Sequence, residues 1–177
     1  MLAAVPELPE PPALQDGSCA DVGAGVGRTV RDVLLPAGFT RVDLVEPAEH
    51  LLAAATEALA PVADCRFLQL PAQDFQPEPE AYDIMWHQWV LLYLPDPVLI
   101  EYLRRCRAAL KPQGVLVVKE NMVLDGAHEF DDEDNSVTRT VEQYTRLFAK
   151  AGLEVLIEMQ QRPWPSDLHP LMMYVLR

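Results

Sequence analysis

Apolar positions along this chain fall into short continuous runs and helical repeats that take turns. Residues 18–23 form an apolar run that breaks at glycines, which predicts a buried strand leading into a helix from residue 27 to about residue 35. Residues 41–46 (RVDLVE) read as a second strand, and Pro47 then opens an Ala-rich helix that Pro61 stops. Residues 65–70 and 82–89 supply two more strands. Asp96 followed by Pro97 marks a helix start, a cap residue and then proline at the first helical position. Leu99, Tyr102, Leu103, Cys106 and Leu110 recur at helical spacing until residues 111–114 (KPQG) end the helix. Residues 115–119 are a short apolar strand. Thr140 and Gln143 make a capping box for a helix through Leu147 and Phe148, closed by Gly152. Residues 154–158 and 171–176 are the last strands. This alternation predicts an α/β fold, a doubly wound and mostly parallel sheet over residues 18–177, with ligands at the carboxyl ends of the strands. Residues 1–17 are Pro-rich and without period, and are expected to form an extended or disordered arm.

Composition narrows the class. Half the residues are hydrophobic and 23% charged, so the chain can bury a full core. No apolar run approaches a membrane span, and no Lys or Arg opens a secretory signal. The three cysteines are far apart, odd in number and not in metal-ligand spacing, and the four histidines are scattered. Reduced thiols, no metal, no membrane, and a cytoplasmic or nuclear monomer are therefore expected. The net charge of −13 makes nucleic acid a poor partner, since Arg104, Arg105 and Arg107 form only a short basic cluster. Acidity for solubility and acidity toward a cationic substrate both fit that charge.

The segment Asp21-Val-Gly-Ala-Gly-Val-Gly-Arg28 sits at the first strand-to-helix turn. Gly23 and Gly25 there allow close approach of a ligand to the backbone. A dinucleotide fingerprint wants G-x-G-x-x-G, its pyrophosphate resting on the helix amino end. Here the spacing is G-x-G-x-G and Arg28 stands where the final glycine belongs, which favours a nucleoside without a pyrophosphate. Arg28 can pair with a ligand carboxylate. Glu46, at the end of the second strand, can accept both ribose hydroxyls.

Four segments carry a resemblance: DVGAGVGR (21–28), AQDFQPEPEAYDIMWHQWV (72–90), RRCRAALKPQGVLVVKENM (104–122) and FDDEDNSVTR (130–139). On them the chain, from about residue 18 to 177, resembles the protein α-N-terminal methyltransferases that modify Xaa-Pro-Lys amino termini. The resemblance implies a Rossmann-like class I methyltransferase sheet with an antiparallel carboxyl-terminal strand, S-adenosylmethionine as cofactor, and methylation of the α-amine of Xaa-Pro-Lys proteins. It implies cofactor contacts at Gly23, Arg28, Glu46, Pro47, Ala48, Ala72, Gln73 and Gln88. It implies a peptide site at Trp89, Asn121, Asp131, Asp134 and Ser136.

Residue chemistry agrees with that site without requiring it. Trp89 can form an apolar wall, and an ordinary core Trp on a strand would read the same way. The acidic run 131–134 can face a cation or simply be a solvated loop. A calcium loop is excluded, because Val137 and Gln143 stand where its Gly and Glu belong. Asp134 is the candidate proton acceptor, and Asn121 can orient an amine or carbonyl. The chain departs from the family at Tyr93, where relatives have His, and at His169, where some have a substrate-contacting Tyr. The family also closes over its ligands with an amino-terminal helical segment that residues 1–17 are too short and Pro-rich to supply, so slow turnover is expected. Two other functions fit the same residues: a small-molecule amine methyltransferase, and a catalytically weak cofactor-binding partner protein.

Overall fold

A computed structural model describes residues 17–61 and 63–177. All but the last residue of the expected arm, 1–17, lies outside the described residues; Gly17 itself already belongs to the first strand. Seven strands form one sheet: β1 (Gly17–Val22), β2 (Phe39–Val45), β3 (Asp64–Leu68), β4 (Tyr82–Gln88), β5 (Leu110–Asn121), β8 (Val155–Gln160) and β9 (Leu171–Leu176). Their order is β3-β2-β1-β4-β5-β9-β8. The first five pair in parallel, while β9 runs antiparallel to both β5 and β8. Chain order reverses between β1 and β4, so the crevice that such sheets offer to ligands lies beyond the carboxyl ends of those two strands.

Helices cover both faces, as near-continuous apolar strands require. On one face α2 (Asp96–Ala109) and α3 (Val141–Lys150) bury Leu99, Tyr102, Leu103, Tyr144 and Phe148 with Ala20, Met85, Leu116 and Val118. On the other, α1 (Glu49–Leu59) buries Leu52, Ala55 and Leu59 with Cys19, Val42 and Leu44. The expected capping box is present, Gln143 N–H donating to Thr140 Oγ1 at 3.1 Å and Thr140 N–H to Gln143 Oε1 at 3.0 Å.

Local expectations fail in three places, each for a physical reason. The segment after the glycine turn is mostly a π-helix, Val30–Leu34, with Leu35 N–H reaching Val30 O at 2.9 Å. Pro36, which has no N–H, follows at once and prevents its continuation. Asp96 does not cap α2: Pro95 occupies the cap position, and the Asp96 carboxylate turns instead to Arg139, 2.9 Å from its Nε. The 111–114 stretch is not a helix end but part of β5, with an irregular register between Leu110 and Val115 opposite Tyr82 and Ile84. The acidic run is the exposed end and turn of a small antiparallel hairpin, in which β6 (Glu129–Asp131) pairs with β7 (Ser136–Thr138).

Candidate active site

Two clefts are linked by a chain of hydrogen bonds, Trp89 lining the first and His169, which Asn121 joins to it, lining the second. The first, about 290 Å³, opens beyond β1 and is lined by Gly23, Gly25, Arg28, Leu51, Gln88 and Trp89 among others. Gly23 has φ +74°, and a Cβ there would lie 2.8 Å from Val90 Cβ, so glycine alone lets this turn lie against the one that follows β4. Gly25 has φ +55°, and a Cβ there would meet nothing within 4 Å. That vacant place faces the cleft and suits a ligand pressed on the backbone.

Glu46 is buried and bidentate. One oxygen, Oε2, accepts Gly25 N–H at 2.9 Å and the other, Oε1, accepts Ala48 N–H at 2.9 Å. The carboxylate thus builds the glycine turn, and each oxygen keeps a lone pair for a ribose hydroxyl. Arg28 is exposed and makes no ion pair or hydrogen bond among the described residues, which leaves its guanidinium for a carboxylate. Asp21, under the turn, has a buried Oδ2 without a partner among them. The cradle at Gly25, the available cation and the ribose-type acceptor together fit an aminoacyl nucleoside. Ala72 is buried, and Gln73 is exposed, its carbonyl accepting from Arg105 Nη2 at 2.6 Å. Pro47 is exposed beside Ala48.

Trp89 is not a core residue. Its backbone has φ +53°, unusual for a side chain this large, and this turns the ring outward to 39% exposure. Its indole Nε1 donates to Asn121 Oδ1 at 2.6 Å, and Asn121 Nδ2 donates to His169 O at 2.8 Å. Asn121 therefore holds the ring to the β8–β9 connection, with both ends of its amide engaged. Tyr93 Oη donates to Asp134 Oδ2 at 3.4 Å, and Ser136 N–H donates to Asp134 Oδ1 at 3.0 Å. Burial, and then the charge of Asp134, push the Tyr93 phenol up, so at neutral pH it is a donor rather than a base. A second cleft of about 270 Å³, polar in character, is lined by Glu129, Asp131, Asp132, Ser136 and His169. His169 Nε2 lies 3.1 Å from Glu129 Oε2 across it.

Three residues that sequence reasoning passed over support this geometry. Glu120 and Asp21 are buried carboxyls, and Arg139 is a buried guanidinium. For Glu120 the signal was present: it shares the inward alternation of Leu116 and Val118 on β5, where a carboxyl has no reason to be unless it holds something. Arg139 and Asp21 carry no comparable periodic mark.

The buried carboxyls give a pH dependence. Burial, and then the charge of Glu46, push Asp21 up to about 7, and burial pushes Glu120 up to about 8. The folded state then holds protons that the unfolded chain has already released, and stability falls as pH rises toward those values. Burial lowers His87 to about 4, so its opposite contribution ends near its ordinary value of 6.5. Between pH 6.5 and 8.5 the folded protein should lose stability, on the order of 1 kcal/mol per pH unit for each carboxyl still protonated. Thermal melts at the two pH values measure this, and Asp21→Asn or Glu120→Gln should flatten the slope. A melting temperature that rises over this interval would contradict the account.

A mostly parallel sheet of this order with an antiparallel last strand, a glycine turn with a bidentate strand-end acid, and beside it an Arg unpaired among the described residues define a methyltransferase dependent on S-adenosylmethionine. Solved structures agree: a S-adenosylmethionine-dependent methyltransferase from Leishmania major superposes with a TM-score of 0.86 at 34% identity, over 97% of this chain and 67% of that one. Residues 10–177 match the family described as AdoMet dependent proline di-methyltransferase, and the chain belongs to it. Among relatives, the human protein named N-terminal Xaa-Pro-Lys N-methyltransferase 1 is 39% identical over 173 residues, 96% of this chain and 77% of that one. The zebrafish (Danio rerio) protein of the same name is 40% identical over 163 residues, 91% of this chain and 72% of that one. The Schizosaccharomyces pombe protein named Alpha N-terminal protein methyltransferase 1 is 43% identical over 157 residues, covering 89% and 70%.

Proposed function

We propose that this chain methylates the α-amino group of proteins beginning Xaa-Pro-Lys. The observation that carries the reading is the outward Trp89 ring, which lines the glycine-turn cleft and is tied through Asn121 to His169, a lining residue of the acidic hairpin cleft. When bound, S-adenosylmethionine supplies a methyl group already activated on a sulfonium. The chain's own residues then have to seat the amine, exclude water and take up a proton. Trp89 offers a flat apolar wall suited to a Pro ring. Asp134, oriented by Ser136 N–H and Tyr93 Oη, is the acceptor for the amine proton, directly or through water. An α-amine has a pKa of roughly 7.7–8.0, so a modest pull suffices. The hairpin carboxylates Glu129, Asp131 and Asp132 offer charge-assisted partners to a Lys side chain.

Mass spectrometry of a Ser-Pro-Lys peptide incubated with the protein and S-adenosylmethionine tests the activity directly, and methylation of the α-amine is expected. A Ser-Pro-Gln peptide should bind more weakly, and added salt should weaken the Lys peptide more than the Gln peptide. Equal binding of both at every salt concentration would reduce the hairpin to a solvated surface. Methyl transfer to small amines but to neither peptide would point to the small-molecule alternative.

A further inference from the structure

The turn between β4 and α2 carries both Trp89 and Tyr93, and it is not held by its own geometry. Trp89 sits in the left-handed region, which disfavours a large side chain and persists only where surroundings over-determine it. Three consecutive residues of β5 do so. Lys119 O accepts Trp89 N–H at 3.1 Å, and Asn121 takes the indole at 2.6 Å. Between them Glu120 points inward, fully buried, and its Oε1 accepts both Val90 N–H at 2.9 Å and Leu91 N–H at 2.8 Å. Its other oxygen, Oε2, is buried with no partner among the described residues.

We propose that Glu120 is the positioning residue that holds the 89–93 turn, and with it the Trp89 ring and the Tyr93 hydroxyl, in the register that receives the peptide. A backbone carbonyl, as at Lys119, would survive any substitution, and Asn121 fixes only the ring tip. Among the described residues, Glu120 is the one side chain of β5 that hydrogen-bonds the main chain of the turn.

The environment says which form does this. Burial pushes the Glu120 carboxyl up to about 8, against the opposing pull of Leu91 N–H, Val90 N–H and Arg139. The titratable or charged groups facing it are Arg139, Tyr144 and Tyr93. At neutral pH a proton therefore resides largely on Oε2, while Oε1 keeps both N–H bonds. A carboxamide has nearly the same shape as that neutral acid and keeps a carbonyl acceptor at the place of Oε1. Glutamine should therefore substitute well, whereas aspartate, one methylene shorter, cannot reach both N–H groups.

The kinetic arm of the test rests on the peptide activity proposed above; a spectroscopic arm does not. In the kinetic arm, Glu120→Ala and Glu120→Asp should lower kcat/KM for a Ser-Pro-Lys peptide about tenfold or more, while Glu120→Gln stays within about threefold of the parent. The Kd for S-adenosylhomocysteine should move by a smaller factor than kcat/KM in the Ala and Asp variants: Trp89 borders that cleft, but Gly25, Arg28 and Glu46 lie on other elements. In the spectroscopic arm, Trp86 and Trp164 are replaced by Phe, and acrylamide quenching of Trp89 is measured without peptide. Quenching should rise in the Ala and Asp variants and be restored by Gln. If Glu120→Ala does not fold, the Asp and Gln pair decides. Unchanged quenching and kinetics in the Asp variant would overturn the proposal, as would a Gln variant as impaired as Asp, or a loss of cofactor affinity equal to the loss of peptide turnover. A parent protein that leaves the peptide unmethylated, but shows the quenching pattern, would refute the proposed function and uphold this assignment.

Discussion

Replacing Arg139 by alanine should lower the unfolding free energy by about 3–5 kcal/mol, the range for removing a buried charged group with several partners. Arg139 is 2% exposed. Its Nη1 donates to Leu91 O at 3.2 Å and its Nη2 to Leu94 O at 2.6 Å, and the guanidinium lies 5.5 Å from the Tyr144 ring centroid. The ion pair with Asp96 contributes the smaller share, because the Asp96 side chain is 56% exposed and screened. The larger share is the two carbonyls, left inside the protein without donors. Lysine should rescue little, since one ammonium cannot reproduce a planar fork that serves two carbonyls and a ring. Urea unfolding of the purified variants measures the loss. A change under about 1 kcal/mol would show that water replaces the fork easily.

Glu46→Gln should weaken S-adenosylhomocysteine binding about a hundredfold, close to 3 kcal/mol, and Glu46→Ala should do no better. The chemical reason is the distribution of acceptors. Each Glu46 oxygen accepts a different N–H, Gly25 on one and Ala48 on the other. A glutamine places its NH₂ against one of those N–H groups, donor facing donor. The turn then distorts and a ribose acceptor is lost as well. Glu120 is the opposite case, because one oxygen takes both N–H groups and the same Glu→Gln change is tolerated. Isothermal calorimetry on the two variants side by side tests the contrast. Affinity within threefold of the parent for Glu46→Gln would show that the turn stands without its carboxylate.

Much of the fold is legible in the chain because parallel strands buried on both faces read as apolar runs. The strands starting near residues 18, 41, 65, 82 and 171, and the Thr140–Gln143 capping box, need only local pattern. What the chain does not announce depends on competition between partners. Asp96 looks like a cap, yet a guanidinium 43 residues away takes its carboxylate. The hairpin of β6 and β7 has no apolar alternation to betray it, since Glu129, Phe130 and Asp131 are all exposed. In the site, the glycine turn and Glu46 are readable from spacing. Trp89 is not, because its outward aim comes from one backbone angle fixed by β5. Glu120 stood in plain alternation with Leu116 and Val118 and needed only the question of why a carboxyl faces inward.

The sheet order has a consequence for how the polypeptide is made. β9 lies between β5 and β8, so the last strand of the sheet to be synthesised is inserted between two that precede it. Until residues 171–176 have left the ribosome, β5 has an open edge and β8 has no neighbour in the sheet. During that interval the apolar side chains of Leu156, Ile157 and Met159 lie on a strand with both edges unpaired, a template for pairing with other nascent chains. Polypeptides released before Leu171 should therefore aggregate through that unfilled slot in the sheet rather than fold to a shorter version of it.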